Sequence, residues 1–156
     1  MKSELRKMRE ERRKTMFHKT TEDLLESLRG SGQLREALAG GEGEFIAQPL
    51  HEALAALLTE KGLTRNQVIR DSQLNVIYGY QIFSGTKTPS RDKLLALAFG
   101  MRLTFEETDR LLKQQGYPRL YPRRARDAVL IYGLMHRLAL LDVNTLLYEN
   151  ELETLL

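Results

Sequence analysis

With 156 residues, 42% of them hydrophobic and 29% charged, the chain is long enough for one ordinary domain plus an appendage and can bury a core. It has no cysteine, which excludes disulfides, thiolate metal sites and a cysteine nucleophile. Its 24 basic and 21 acidic residues leave a net charge of +3, a mildly basic balance that permits a nucleic-acid partner without requiring one.

The opening stretch from Met1 to Phe17 is charged and has no apolar h-region, so no secretory signal is expected. No run approaches the roughly 18 apolar residues that a membrane span needs, and the longest, Ala128–Met135, is interrupted by Gly133. The expectation is a soluble, cytoplasmic protein with no membrane contact. Helix signals recur along the whole chain and no strand pattern appears, so the fold class is all-α. Pro49, Pro89, Pro118 and Pro122 each fall at a boundary between predicted helices.

Residues 1–47 read as an N-terminal helical extension with glycine-rich joints at Gly30-Ser31-Gly32 and Gly40-Gly41-Glu42-Gly43. A basic cluster, Arg6 to Lys14, lies on its first charged helix. A helix over Thr20–Arg29 follows, with Thr20 and Asp23 as a capping pair and Leu24, Leu25 and Leu28 as an apolar stripe. A short helix is expected at about Gln33–Ala39. The stripe either packs on the body of the protein or docks a partner.

The central segment, 48–117, has the clearest punctuation. Leu50, Leu54, Leu57 and Leu58 make one buried face, and Gly62 ends that helix. Thr64 and Gln67 form a capping box for a second helix carrying Val68 and Ile69. Only Gln73 and Leu74 separate its end at Ser72 from Asn75, an N-cap candidate for a third helix over about Val76–Phe83 that Gly85 stops. Ser90 opens a fourth, leucine-rich helix, and Thr104 with Glu107 opens a fifth that ends at Gly116. Two short helices joined by a tight turn are the helix-turn-helix pattern, and five short helices in so few residues imply a compact globule.

At this point the stretch LHEALAALLTEKGLTRNQVIRDSQLNVIYGYQIFSGTKTPSRDKLLALAFGMRLTFEETDRLL resembles the Xre, or lambda-repressor-like, family of helix-turn-helix domains. The pieces that carry the resemblance are Gly62-Leu63-Thr64, Ile82-Phe83-Ser84-Gly85, and Pro89-Ser90 with the helix after it. The resemblance implies a five-helix domain whose third helix enters the major groove of double-stranded DNA. It places Arg65 at the phosphate-contacting start of the second helix. Asn75, Val76, Ile77 and Gln81 fall where bases are read, with Tyr78 and Tyr80 flanking them. Lys87 falls in the phosphate-contacting loop.

Three departures from the family pattern matter. Gln73 stands where a left-handed turn residue, usually glycine, is needed. Ile69 and Gly79 reverse the usual small-to-branched pairing between the second and third helices, which reads as a volume exchange across that corner. The exposed face of the third helix (Val76, Ile77, Tyr80, Gln81 and Ser84) carries no charge, although arginine is the commonest base reader.

Residues 118–156 read as a C-terminal helical extension. An apolar helix over about Arg124–Arg137 has Ala128, Ile131, Leu134, Met135 and Leu138 on its dense face. A last helix and an acidic tail follow. The C-terminal apolar face either wraps the central domain or forms a homodimer interface, and helix 124–137 and the N-terminal helices are the two candidate docking surfaces for a protein partner. Arg119, Arg123, Arg124 and Arg126 form a second basic cluster. His18, His51 and His136 lie far apart without carboxylates at ligand spacing, and no catalytic motif appears, so neither metal, cofactor nor enzymatic activity is expected. Two function classes remain: a transcription regulator that binds duplex DNA, and a non-enzymatic adaptor that uses the same fold and its apolar helix faces to bind a protein.

Overall fold

The computed structural model describes Thr20–Gly30, Leu34, Arg35 and residues 48–156. The expected charged helices before Thr20, the basic cluster Arg6–Lys14, and the joints and short helix of 31–47 lie outside these residues, apart from the helical pair Leu34–Arg35. Among the described residues there are eight helices and no strand. The chain divides into two compact units, Met1–Ala47 and Gln48–Leu156.

In the first unit, α1 spans Thr21–Gly30. The Asp23 N–H donates to Thr20 Oγ1 and the Thr20 N–H to Asp23 Oδ2, each at 3.1 Å, which is the capping pair expected from sequence.

The second unit begins with α2, Leu50–Lys61, closed by left-handed Gly62. Next come α3 (Arg65–Asp71) and α4 (Val76–Ser84), then α5 (Arg91–Gly100) and α6 (Phe105–Gln114). The chain ends with α7, Ala125–Met135, and α8, Leu140–Glu149. The caps are those the sequence announces. Thr64 with Gln67 and Thr104 with Glu107 each form a complete capping box, while Ser90 and Asn75 accept from the N–H groups of Lys93 and Tyr78. Each removes an orphan donor from a helix start. Glu107 serves twice, because Lys61 at the end of α2 reaches its Oε1 at 2.8 Å.

The core is organised on α5. Every residue from Leu94 to Gly100 is buried, so this helix presents apolar surface all round rather than on one stripe. It packs against α3, α6 and α8. Gly100 allows the closest of these approaches: a Cβ there would collide with Ser72 Oγ and stand 2.8 Å from the Val68 carbonyl oxygen. Residues 118–156 share this core through Leu120, Leu130, Leu134, Val143, Leu147 and Leu155.

A pair of reciprocal ion pairs fastens α7 to the start of α5. Arg91 donates to both oxygens of Asp127 at 3.1 Å, and Arg126 donates to both oxygens of Asp92 at 2.8 and 3.0 Å. Such forks are the strongest geometry available to a guanidinium and a carboxylate. Arg91 also bonds the carbonyls of Pro118 and Arg119, and Arg126 those of Glu153 and Thr154. The acidic tail therefore folds back, with Leu155 buried and its N–H on Asn144 Oδ1 at 2.8 Å. Two members of the second basic cluster are thus spent internally, since Arg119 is paired with Asp109 and Arg126 with Asp92. The buried residues of α7 are Asp127, Leu130, Ile131, Gly133 and Leu134; Met135, expected on the dense face, is exposed, because it lies about 40° beyond Ile131 at the edge of that arc and on the last turn.

The bulky and the small residue expected to meet at the α3–α4 corner, Ile69 and Gly79, do face each other. Ile69 is buried, and a Cβ on Gly79 would lie 2.8 Å from both its Cγ1 and Cγ2. Gly79→Ala should therefore destabilise the wild type yet stabilise an Ile69→Ala background, in which the clash is gone and alanine's better helix propensity is felt. Ile69→Ala alone should cost about 2–5 kcal/mol. Denaturant unfolding of the four proteins in the cycle checks this, and the same sign for Gly79→Ala in both backgrounds would refute it.

Asp127 makes an acid-sensitive contribution. Burial pushes its carboxyl up, but the Arg91 hydrogen bonds, the Tyr121 N–H at 2.9 Å and the charges of Arg91 and Arg124 together hold it below the ordinary 3.8. A carboxyl depressed in the folded state stabilises the fold above its unfolded value and loses that stabilisation as pH falls through the folded one. Unfolding followed from neutral pH to below 3.8 should thus show a steeper acid limb for the wild type than for Asp127→Asn.

Candidate nucleic-acid interface

The candidate site is built from α3, the turn after it, and α4. Ser72, Gln73, Leu74 and Asn75 make the whole connection. Ser72 and Leu74 are buried beneath it. Gln73 is exposed and left-handed, with φ of 54°, as the position requires. With no covering contact of its own, the turn is fixed by the two buried residues that flank Gln73 and by the cap that Asn75 provides.

Asn75 is consumed in part by this role: its Oδ1 accepts the Tyr78 N–H at 3.2 Å, leaving its side-chain N–H groups for an external partner. Val76 and Ile77, in the first turn of α4, are 60% and 70% exposed and form the apolar front of the helix. Gly79, Ile82 and Phe83 face the core, as the helical wheel predicts. Gln81 departs from the expectation. It is half-buried, because it sits at the end where Thr86 and Lys87 fold back to bond its carbonyl at 2.9 and 3.1 Å. That fold-back orders the loop and leaves the Lys87 side chain exposed beside the end of α4.

The two tyrosines are where the sequence reading was incomplete. Arg65, in the first turn of α3, places its guanidinium 5.9 Å from the centre of the Tyr80 ring, and the Tyr80 hydroxyl donates to Asn66 Oδ1. Lys93, in the first turn of α5, holds its ammonium 4.2 Å from the centre of the Tyr78 ring. Both are cation–π contacts, which fix a cation beside an aromatic face while leaving its N–H donors for an outside partner. The face of α4 carries no charge of its own, yet cations from α3 and α5 border it. Arg65 was visible from its place at a helix start. Lys93 was not, since nothing local ties it to a tyrosine fifteen positions earlier.

The arrangement thus offers an apolar centre of Val76 and Ile77, amide groups from Asn75 and Gln81, and cations at Arg65, Lys87 and Lys93. No group of three or more metal-binding side chains occurs among the described residues, and no described helix is long and apolar enough to cross a membrane. Comparison of the chain with protein-family models, curated proteins and solved structures gives no match.

The left-handed turn residue generates a stability test. Glycine has no Cβ to strain at this φ, so Gln73→Gly should raise stability by up to about 1 kcal/mol, the left-handed penalty less glycine's extra unfolded-state entropy. Gln73→Val should lower it, since a branched side chain suits this conformation least. Paired thermal melts give the order, and a Gln73→Gly protein less stable than wild type would show that the glutamine side chain is needed.

Proposed function

We propose that residues 48–117 form a lambda-repressor-like helix-turn-helix domain of the Xre type, and that the protein is a transcription regulator that inserts α4 into the major groove of duplex DNA. The observation that carries this reading is the α3–α4 corner itself: two short capped helices, a four-residue connection with left-handed Gln73, and a second helix whose outer face is exposed and bordered by cations. Arg65, Lys87 and Lys93 are suited to phosphates, which supply most of the sequence-independent affinity. Val76 and Ile77 suit thymine methyl groups, and the amides of Asn75 and Gln81 suit adenine, so the favoured site is A·T-rich. Binding as a homodimer would match two half-sites one helical turn apart.

One observation favours a second reading, an adaptor that binds a protein through the same face. Val76 and Ile77 are adjacent, exposed and apolar, while the hydrogen-bonding power of Asn75 and Gln81 is partly withdrawn by capping and burial. Contiguous exposed apolar groups mark protein contacts as well as groove contacts.

Salt dependence separates the two, because only phosphate binding releases counterions. The protein should bind duplex DNA from its own upstream region in preference to a shuffled duplex. Arg65→Ala should weaken both complexes and lower the slope of log affinity against log salt by about 1. Ile77→Ser should weaken only the specific complex. No preference between the duplexes at low salt would reject the DNA reading and leave the adaptor.

A further inference from the structure

A cleft of about 760 Å³ opens between the end of α3, the α5–α6 turn and the α7–α8 turn. Its floor is formed by Phe99, Leu103, Leu134 and Leu140, all buried, and its accessible apolar rim by Leu138, Ala139 and Leu141. Gly133 brings α7 down onto this floor: a Cβ there would lie 2.5 Å from Val143 Cγ2 and 3.3 Å from the Phe99 ring. The walls carry three arginines, Arg70, Arg102 and Arg137, against one carboxylate, Asp71, which Arg70 already contacts at 3.3 Å. Arg102 and Arg137 are neighbours, since Arg137 Nη1 donates to the Arg102 carbonyl oxygen at 3.0 Å. Neither makes an ion pair among the described residues.

These two arginines stand where a helix end normally has glycine. Each follows the end of a helix with φ of 55° or 58°, and the next N–H closes the turn onto Ala98 O or Gly133 O at 3.0 Å. The chain uses glycine for the equivalent position at Gly62, where φ is 66°. Among the described residues four non-glycine positions are left-handed, and three of them (Gln73, Arg102 and Arg137) line this cleft. Glycine is the usual residue at such sites, although Glu151 closes α8 in the same left-handed way outside the cleft. What arginine adds is a guanidinium at the mouth of an apolar hollow, and strained backbone held for a side chain's sake is a feature of binding sites.

We propose that this cleft binds an amphipathic organic anion, its apolar body on Phe99, Leu103, Leu134 and Leu140 and its anionic head between Arg102 and Arg137. A planar guanidinium matches a carboxylate or sulfonate with two parallel hydrogen bonds. The volume falls within the roughly 300–1,000 Å³ of ordinary small-molecule sites, and the mixed lining sets charged groups beside apolar ones, as an amphipathic ligand needs. Because Arg70, Asp71 and Gln73 belong to the same wall, an occupant touches the connection between α3 and α4. The proposal stands whether that corner meets DNA or protein.

The test uses the full chain and the fluorescent anion anilinonaphthalene sulfonate, with decanoate and decanol as competitors. One saturable site is expected, from which decanoate displaces the dye about tenfold more effectively than decanol. The double variant Arg102→Gly/Arg137→Gly should bind dye and decanoate about tenfold or more weakly while melting no lower than wild type, because glycine suits both backbone positions. Absence of a saturable site, or equal displacement by decanoate and decanol, would overturn the proposal. So would undiminished anion binding by the double variant. A double variant that melts well below wild type would assign the arginines to capping instead, and the anion site would fall with that outcome.

Discussion

A helix with no solvent face beyond its first turn dictates the rest of the Gln48–Leu156 unit. From Leu94 onward α5 must be covered on every side, and the surrounding helices are placed by that demand. α3 lies against it at Gly100, α6 follows from it through the Met101–Thr104 turn, and α8 covers another flank. The close approach at Gly100 carries a cost, because Ser72 Oγ is buried with no hydrogen-bond partner among the described residues. That the fold accepts an unsatisfied hydroxyl there indicates how strongly the seating of α3 is set by contact with α5. α4, held by the short connection after α3 and touched by α5 only where Lys93 meets the Tyr78 ring, has its exposed face decided largely by how α3 is seated.

The same dependence reaches the candidate interface. Tyr78 and Tyr80 project from α4, but the cations beside them come from α5 and α3. Charge is thus supplied to an uncharged helix by its neighbours, so the electrostatics of the face are a property of packing and not of the α4 sequence. Val76 and Ile77, both exposed, form a front that is apolar in its own side chains.

Much of the local structure was legible because capping is local chemistry. Thr64 with Gln67, Asn75, Ser90, Thr104 with Glu107, and the glycines at 62 and 85 act on groups within a few residues, and each does in space what it signals in the chain. The Ile69–Gly79 packing was legible for a related reason: a bulky residue fits opposite a missing side chain. What escaped notice were the relations across long separations. The sequence gives no sign that Arg91 and Asp127, or Asp92 and Arg126, would pair, nor that Lys93 would cover Tyr78, since alternating charges at two helix starts look like solvated ends. Met135 was misplaced because an apolar run continued past the arc that α7 buries, and Gln81 because a wheel drawn for an isolated helix omits the loop that folds back on it.

The paired forks between α5 and α7 bear on how the protein can be dissected. By its caps and its spacing, the stretch ending at Tyr117 looks like a detachable module. Cutting there would leave Arg91 and Asp92 without Asp127 and Arg126, and Phe99 without the cover of Gly133. A fragment of that length would retain every residue of the α3–α4 corner while losing the supports that hold α5, the helix on which α3 is seated. The α3–α4 corner therefore rests on residues from both sides of Tyr117, and the segment that reads as an appendix is a wall of the building.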